Sequence, residues 1–364
     1  MKRVVKLADV AKAAGVSQGT ASNVFNRPEI VSSEVRDRVM RSAATLEYGG
    51  PDPRGRLLRA GKVNAIGFVA ADDMAYFFHD PYYRLLLAGI AEVCDERGAG
   101  MALVSVTRHE DAAWSVETAL VDGFIVHCLE DGDRLLALTR KRNLPFVAVD
   151  LDAGPGTSSV VIDDHRGAYL AARHLLGLGH RRIGLLALAP PEDARAPDAR
   201  PMGTVHFKVR RDRFAGYAAA LAEQGLKLAK LPVTESPNDR QLAIGHAADL
   251  LSQAPELTAI IAMSDVLAIA AMEAARQRGL RVPEDLSVVG FDDIPEAALA
   301  IPPLTTIAQP IVEKGRRAAT LIFERGTPGR ETMKVKLVVR ASTARLSSAR
   351  TAGRAARPHR APQA

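Results

Sequence analysis

Short apolar runs alternate with helical stretches through most of this 364-residue chain, and this alternation limits the possible folds more than any other feature. Apolar runs rich in Val, Ile, Leu and Ala occupy residues 65–70, 102–106, 123–128, 146–150, 160–163, 183–188, 259–263 and 286–291. Stretches with helical periodicity cover residues 82–97, 167–178, 213–224, 241–251 and 266–278. Apolar strands joined by helices are typical of parallel sheets covered on both faces. The pattern predicts an α/β fold.

The length of this α/β region predicts two lobes with a cleft between them. Roughly 280 residues is more than one doubly wound core normally contains. Ligands of open parallel sheets bind in the crevice at the carboxyl ends of the strands. Polar residues close several strands here: Asp150, Asp163, Asp164, Ser264, Asp265, Asp292 and Asp293. Helix capping or loop positions account for Asp265 and Asp293, so the others are the better candidates for ligand contacts.

The first 48 residues follow a purely helical pattern. Residues 7–14 have apolar side chains at helical spacing, and Gly15 suits the position just after a helix. Ser17 suits the N-cap of a second helix over residues 17–25, and Ser32 or Ser33 suits the start of a third. Helix, glycine-containing turn, helix and supporting helix form the helix-turn-helix layout. A three-helix bundle without a nucleic-acid role fits the same pattern.

Charge is distributed unevenly along the chain. The formal net charge is +6, from 48 Lys and Arg against 42 Asp and Glu. Residues 1–62 contain twelve basic and six acidic side chains, and residues 341–364 contain five arginines and no acid. The segment between them is therefore acidic. A basic end on an acidic body indicates a module that binds a polyanion, although a basic segment can also be simply solvated.

Two segments lie outside the helical and α/β regions. Residues 49–62 are rich in Gly and Pro and read as a linker. Its middle could form one or two helical turns, which would be marginal alone in water and would order only against a partner. The last residues, 346–364, are rich in Ala, Arg, Ser and Pro. This composition predicts a disordered basic tail.

Composition also excludes several classes of protein. No run of 18 apolar residues occurs, so we expect no membrane span, and charges near the N-terminus disfavour a signal peptide. Two cysteines, Cys94 and Cys128, exclude a disulfide framework and fit a cytoplasmic location. The chain has neither a Gly-x-Ser-x-Gly motif nor a phosphate-binding Gly-rich loop with Lys. Asp163, Asp164 and His165 have no second cluster of metal ligands beside them, so we expect no metal ion. Because the catalytic motifs are absent as well, we also expect no cofactor and no enzymatic activity.

An ordered series of motifs resembles one family over residues 5–342. In the first 61 residues they are Val5–Ala11, Ala14–Ser17, Thr20–Ser22, Val24–Asn26, Pro51–Pro53 and Leu58–Gly61. In the body they are Ile66–Gly67, Asp122–Val126, His174–Leu175, Gly179–Ile183, Arg213–Tyr217 and Ser287–Asp293. The chain resembles the LacI/GalR-type bacterial transcription regulators. The resemblance implies a helix-turn-helix headpiece on a two-lobed, periplasmic-binding-protein-like body, a homodimer, a near-palindromic DNA operator and a small effector.

The resemblance also implies which residues contact DNA. The recognition helix would be residues 17–25, with Gln18, Gly19 and Asn23 at the positions that read bases. Amide side chains can contact base edges with two hydrogen bonds, whereas Gly19 offers no side chain. Ser17, Thr20 and Ser22 would contact phosphates or cap the helix. Leu58 matches the leucine that this family inserts into the minor groove, which kinks the duplex.

In the body, the resemblance places Arg213, Ser264 and Asp292 at effector-contact positions. Asp72, Asp150 and Asp164 would face the same cleft from strand ends. Several carboxylates with one arginine suit a hydroxyl-rich ligand, which favours a sugar; a nucleoside or purine would fit similar chemistry. Aromatic residues 76–78, 82 and 83 could stack on a ring or belong to the core. The resemblance also implies that the protein represses transcription.

The resulting domain assignment has four parts. Residues 1–48 form the headpiece, 49–62 the hinge linker, 63–345 the effector-binding and dimerisation domain, and 346–364 the tail. Residues 190–210 form a long connection rich in Pro and Ala beside the expected cleft. Loops of this length are often functional or disordered. A solute-binding protein without DNA contacts is a further alternative, but it would not need a basic headpiece.

Overall fold

The structure is a computed structural model, and it divides into two compact units, Met1–Val63 and Asn64–Ala364. We describe each unit by itself. The structure describes residues 5–51, 62–106, 116–127, 137, 140–151, 153–154, 156–189, 208–324 and 327–346. Among these residues, no helix combines the length and the apolar character needed to cross a lipid bilayer.

The first unit contains the three predicted helices: α1 (Leu7–Ala13), α2 (Gln18–Asn26) and α3 (Ser33–Thr45). Gly15 has a φ of +61°, a left-handed conformation that glycine adopts without strain, and it turns the chain between α1 and α2. The three helices share one apolar core, made of the buried residues Val10, Ala11, Ala14, Ala21, Val24, Val39 and Ala43. The small side chains allow α1 and α2 to pack closely.

The second unit alternates strands and helices. Its strands are β1 (Ala65–Ala70), β2 (Gly100–Ser105), β3 (Gly123–His127), β4 (Phe146–Val149), β5 (Ser158–Ile162), β6 (Ile183–Leu188), β7 (Val233–Ser236), β8 (Ala259–Ala262), β9 (Ser287–Asp292), β10 (Thr305–Ala308), β11 (Arg330–Met333) and β12 (Lys336–Val338). Its helices are α4 (Tyr76–His79), α5 (Pro81–Glu96), α6 (Asp164–Gly177), α7 (Lys208–Ala222), α8 (Arg240–Gln253), α9 (Asp265–Gln277), α10 (Pro295–Leu299) and α11 (Ile311–Glu324).

The strands form two six-stranded sheets, which define two lobes. The first lobe has the strand order β11-β5-β4-β3-β1-β2, and all its neighbours are parallel. The second lobe has the order β12-β10-β9-β8-β6-β7, and only β12 runs antiparallel to its neighbour. The predicted α/β fold with two lobes of mainly parallel sheet is confirmed.

The described segments cross between the lobes three times. It passes from β5 to α6, returns from β10 to α11, and passes again from β11 to β12. Helix α11 packs on α5 and on the first sheet, so it belongs to the first lobe. The residues at the second crossing, Gln309 and Pro310, therefore join a strand of the second lobe to a helix of the first.

The helix pair α5 and α11 crosses at two glycines. A Cβ on Gly315 would collide with the backbone carbonyl of Leu86, and one on Gly89 would collide with that of Val312. The two backbones are therefore in direct contact, and any larger side chain would separate the helices. This crossing fixes the position of α11 on the first lobe.

The sequence analysis missed several elements. It did not predict β7, β10, β11, β12 or α11, and it started the helix that is α7 at residue 213, whereas the helix begins at Lys208. Three of the missed strands have four residues and β12 has three, and β7, β11 and β12 lie at sheet edges and are partly exposed. A strand of this kind lacks the long apolar run that sequence patterns detect.

Candidate functional site

Three hydroxyl residues of the headpiece take part in the local structure of α2. Ser17 is the N-cap: its Oγ accepts a hydrogen bond from the Thr20 backbone N–H at 3.0 Å and lies 2.9 Å from Thr20 Oγ1. Asn26 Nδ2 donates to the Ser22 carbonyl at 2.9 Å and to Ser22 Oγ at 3.1 Å. These residues hold both ends of α2, whatever they contact in DNA.

The remaining candidates on α2 point away from the headpiece core. Gln18 and Gly19 are exposed and Asn23 is half-buried. Within the described residues, the side-chain amides of Gln18 and Asn23 form no hydrogen bond. A Cβ at Gly19 would meet only Ser17 Oγ, at an ordinary 3.6 Å, so packing does not require glycine there. Helix α2 thus carries two side-chain amides, those of Gln18 and Asn23, that form no hydrogen bond within the described residues. Gly19, which lies between them in the sequence, has no side chain.

Some predicted features lie outside the described residues. They are Leu58 with residues 52–61 of the linker, residues 190–207 of the long connection, residues 347–364 of the tail, and Cys128. The role assigned to Leu58 stays a prediction. Cys94, in contrast, is a buried free cysteine, and burial raises the pKa of its thiol.

The second lobe contributes a buried cluster around Arg213. Its Nε donates to Asp164 Oδ1 at 3.0 Å, and its Nη2 lies 3.9 Å from Asp292 Oδ1. Its Nη1 donates to the carbonyl of Met263, and its guanidinium lies over the Phe291 ring, 3.6 Å from the centroid. Four parts of the second lobe therefore meet at this side chain: α7, the start of α6, the residue after β8, and β9.

Burial dominates the ionisation of the two acids in this cluster. It raises the pKa of Asp164 and raises that of Asp292 well above its ordinary value, although the Arg213 guanidinium opposes both shifts. Burial alone would lower the pKa of Arg213, but Asp164 and Asp292 outweigh it and raise the pKa. The guanidinium therefore stays charged, whereas its acids take up protons more readily than free carboxyl groups.

Lys208 adds a second cation to the same acid. Its Nζ lies 3.3 Å from Asp164 Oδ2 and 2.9 Å from Asp212 Oδ2, and its side chain is 3% exposed. Burial would lower the pKa of this ammonium, but Asp164 and Asp212 outweigh the effect and raise it. Asp164 is therefore held between two cations from the same helix, α7.

The first lobe contributes a second cluster, around Asp150. Lys314 Nζ donates to Asp150 Oδ2 at 2.7 Å, and the Tyr82 hydroxyl donates to the same oxygen at 2.5 Å. His127 Nε2 lies 3.7 Å from Oδ2, while its Nδ1 lies 3.2 Å from the Tyr83 hydroxyl. Burial alone would raise the pKa of Asp150, but Lys314 and His127 hold it well below its ordinary value.

Asp72 lies at the edge of this cluster. It follows β1 and accepts a hydrogen bond from the hydroxyl of Tyr83. The aromatic residues around it pack mainly on one another: Tyr83 lies 5.2 Å from Phe77 and 5.7 Å from Tyr76, between ring centroids. Phe77 and Tyr83 are buried, Tyr76 and Tyr82 are half-buried and Phe78 is exposed. The first two therefore act as core residues.

Gln309 connects the two clusters. Its Nε2 donates to Asp292 Oδ1 at 2.6 Å, and its Oε1 accepts from Lys314 Nζ at 2.7 Å. The hydrogen-bonded chain thus runs from Asp150 in the first lobe to Asp292 in the second. Of the predicted effector residues, the structure brings Asp72 and Asp150 together in one cluster and Asp164, Arg213 and Asp292 in the other.

Ser264 has a different set of contacts. Its Oγ accepts from the Leu267 backbone N–H at 3.1 Å, which caps α9, and donates to Asn238 Oδ1 at 2.5 Å. Asn238 Nδ2 in turn donates to Asp80 Oδ2 of the first lobe at 2.8 Å. Ser264 therefore takes part in a contact between the lobes, and its assignment to the effector stays a prediction.

Two buried polar atoms at these clusters have no hydrogen-bond partner among the residues that the structure describes. They are Oδ1 of Asp150 and the hydroxyl of Tyr217, which lies one helical turn after Arg213 on α7. Both side chains are at least nine-tenths buried. A buried acceptor or donor without a partner costs free energy, so such atoms indicate a position that a ligand or water completes.

The clusters contain more carboxyl groups than cations. Five aspartates contribute, Asp72, Asp150, Asp164, Asp212 and Asp292, against the three cations Lys208, Arg213 and Lys314. Each cation already lies within 3.3 Å of a carboxylate oxygen. Within the described part of the chain, no group of three or more His, Cys, Asp and Glu is arranged to hold a metal ion.

Sequence reasoning missed Lys314, Gln309, His127 and Asn238. Lys314 had a detectable signal, because it interrupts the apolar stripe formed by Ile311, Gly315, Ala318 and Ile322 on α11. His127 ends the buried strand β3 and so carries the same strand-end signal as Asp150, whereas Gln309 and Asn238 occupy loop positions with no periodic signal. Their roles follow only from contacts between distant segments.

Comparison with known proteins gives a consistent result. Residues 6–50 match the family model described as bacterial regulatory proteins of the lacI family, and residues 172–343 match a periplasmic binding protein-like domain. The HTH-type transcriptional regulator Rv3575c of Mycobacterium tuberculosis is 40% identical over 93% of this chain and 96% of its own length. The repressor PurR of Haemophilus influenzae (strain Rd) is 32% identical over 88% of this chain and 90% of its own length.

Solved structures agree with the fold. The transcriptional regulator CelR in complex with cellobiose superposes with a TM-score of 0.67 at 29% identity, covering 93% of this chain and 100% of that one. The lac repressor dimer bound to operator and the anti-inducer ONPF gives a TM-score of 0.72 at 28% identity, covering 94% and 100%. The helical headpiece, the two-lobed body and the extent of these matches lead to one conclusion: the chain belongs to the LacI family and is a DNA-binding transcriptional regulator with an effector-binding domain.

Proposed function

We propose that this regulator senses a neutral, hydroxyl-rich small molecule, most simply a sugar, bound between its two lobes. The effector controls the affinity of a homodimer for a near-palindromic operator, and the regulator acts as a repressor in the cytoplasm. Asp72, Asp150, Asp164, Arg213, Ser264 and Asp292 are the proposed effector residues.

The unpartnered Oδ1 of Asp150 is the observation that carries this proposal. The atom is buried, and the Lys314 ammonium holds the carboxyl in its ionised form. An ionised carboxylate accepts hydrogen bonds and donates none. A ligand hydroxyl is the group that completes it, and the other aspartates of the two clusters can accept further hydroxyl groups.

The charge of the clusters supports a neutral ligand over a phosphorylated one. All three cations are already paired with carboxylates, and the aspartates exceed them in number. A phosphate group would have to displace an aspartate from Arg213 or Lys314 while remaining close to the others. Placing a like charge beside a carboxylate in a buried site costs several kcal/mol.

A binding screen with matched ligand pairs tests the effector class. We expect a neutral mono- or disaccharide, such as ribose or cellobiose, to bind and change operator affinity, and its phosphate ester to bind at least about tenfold more weakly. Isothermal titration calorimetry gives both affinities, and fluorescence anisotropy with labelled operator gives the response.

Purine bases and nucleosides form the alternative arm of the screen. The similarity to PurR over most of the chain favours this class as the second candidate. Binding of a purine without any response to sugars would replace the sugar proposal. Tighter binding of a sugar phosphate than of its parent sugar would contradict the neutral-ligand argument itself.

On the DNA side, the two α2 amides that form no hydrogen bond within the described residues support the assignment of base contacts. Gln18 and Asn23 would each contact a base edge, and Gly19 would allow close approach of the helix backbone to the groove. Ser17, Thr20 and Ser22 would position the helix on phosphates, and Leu58 would insert into the minor groove at the operator centre.

Exposed apolar side chains support the homodimer. Leu299 at the end of α10 is 78% exposed, and Ile301, two residues later, is 95% exposed. Large apolar side chains that lie together on a surface commonly mark an interface between proteins. We infer that this segment contacts the second copy of the chain.

Replacing Ile301 with aspartate should weaken the dimer at least about tenfold, because a charge would be buried in an apolar contact. Sedimentation velocity over a concentration series measures the dissociation constant. Leu120→Asp is the matched control, since Leu120 is also exposed, at 62%, but lies in the first lobe away from this segment. An equal loss in both variants, or no loss in Ile301→Asp, would place the interface elsewhere.

A further inference from the structure

Lys314 is an unusual residue for its position. It lies on the apolar face of α11, and its side chain is fully buried, at 0% exposure. Burying an ammonium group costs free energy even when it is paired, and an apolar side chain of similar volume would usually stabilise the fold as well or better. The contacts that the ammonium makes are therefore the feature to explain.

The three protons of the ammonium have three acceptors. Nζ lies 2.7 Å from Asp150 Oδ2, 2.7 Å from Gln309 Oε1 and 3.0 Å from the Tyr82 hydroxyl. Asp150 and Tyr82 belong to the first lobe, whereas Gln309 lies on the crossing from the second lobe. Lys314 thus joins a cleft acid to the segment that connects the lobes.

Lys314 also determines the orientation of the Gln309 amide. An ammonium can only donate, so it requires the amide oxygen, and the amide nitrogen must then point the other way. That nitrogen donates to Asp292 Oδ1 at 2.6 Å. Without the ammonium, the amide oxygen would lose its donor, and the link from Gln309 to the first lobe through Lys314 would be lost.

The helix that carries Lys314 cannot shift easily on the first lobe. Gly315 follows directly in the sequence and lies in backbone contact with Leu86 of α5. A movement of Asp292 in the second lobe would therefore be transmitted through Gln309 to Lys314, because the helix that carries Lys314 is held against α5.

We propose that Lys314 is a positioning residue for the effector response: with Gln309 it forms a hydrogen-bonded relay that ties Asp292 of the second lobe to Asp150 of the first. Effector contacts at Asp292 or Asp150 then change the relative orientation of the lobes. This inference rests on the proposed function of the cleft, and its first test also depends on it.

The first test compares two variants of α11. Lys314→Met removes the ammonium but keeps the length of the side chain, and Arg316→Met removes the same charge from an exposed residue that pairs with Glu92. We expect Lys314→Met to bind free operator within about threefold of the parent, while the effector changes its operator affinity at least about fivefold less than in the parent. Arg316→Met should retain the full response. A full response in Lys314→Met would overturn the proposal.

The second test needs no effector. Within the described residues, no hydrogen bond or ion pair joins Lys314 directly to Asp292, and Gln309 contacts both. If the two substitutions acted independently, their effects on the unfolding equilibrium constant would multiply. Lys314→Met and Asp292→Asn form a double-mutant cycle, measured by urea unfolding at one protein concentration. We expect the unfolding equilibrium constant of the double variant to differ at least about twofold from the value that the two single effects multiply to. The same cycle in a Gln309→Leu background should show none.

These two tests separate the relay from the proposed function. A coupling that persists in the Gln309→Leu background, or the absence of coupling in the parent background, would overturn the relay. A parent protein that responds to neither sugars nor purines would overturn the proposed function, and the cycle would still decide whether Lys314 and Gln309 join the lobes.

Discussion

Arg213→Ala should abolish the effector response and leave binding to free operator intact. The guanidinium holds Asp164 at 3.0 Å and Asp292 at 3.9 Å, and it lies against the Phe291 ring. Its removal takes away the positive charge that most offsets the burial of these two acids. Removing one member of a buried pair typically costs about 3–5 kcal/mol. The lost contacts belong to the cleft, whereas the headpiece is a separate compact unit.

Anisotropy titrations of labelled operator, with and without effector, measure both quantities. Arg210→Ala is the matched control, since Arg210 lies three residues earlier on α7, is 6% exposed and pairs with Glu235 at 2.5 Å. It should lower the free energy of unfolding and retain the response. If Arg213→Ala keeps its effector response, this residue does not belong to the site. If Arg210→Ala loses the effector response to the same extent, the loss in Arg213→Ala reflects only damage to α7.

The headpiece could be predicted closely because its signals are local. Gly15 after α1 and Ser17 before α2 sit within a few residues of the helices they delimit, and both act as expected. The acids of the cleft were also predictable, since parallel strands bring their carboxyl ends to one edge of a sheet. Asp150 and Asp292 both follow from this rule.

The partners of those acids could not be predicted in the same way. Lys314 contacts Asp150, which lies 164 positions earlier in the chain, and no local pattern joins them. Asp265 shows the same limit. Its sequence position predicts a capping or loop role, and it begins α9, but it also accepts a hydrogen bond from the Thr306 hydroxyl at 2.5 Å. Burial raises the pKa of this carboxyl to about 7.

Charge on the headpiece leads to the second large effect. Operator affinity should fall about 10³–10⁵-fold between 50 and 200 mM salt if the dimer contacts six to ten phosphates, because each contact releases condensed counterions. The basic excess of residues 1–62 makes a contact number in this range reasonable for two headpieces. Anisotropy titrations at five salt concentrations give the slope, and a flat profile would show that phosphates contribute little.

Asn23→Ala separates base reading from this electrostatic contribution. The side chain is uncharged and forms no hydrogen bond within the described residues, so its removal should leave both the fold and the salt slope unchanged. The loss should be about 1–3 kcal/mol and confined to particular base pairs, since an amide discriminates between base edges. Selecting operators from a randomised library with the variant and with the parent protein, and comparing the two sets of sequences, reveals those positions. A uniform loss across all sequences would mean that Asn23 contacts the backbone of the DNA and reads no base.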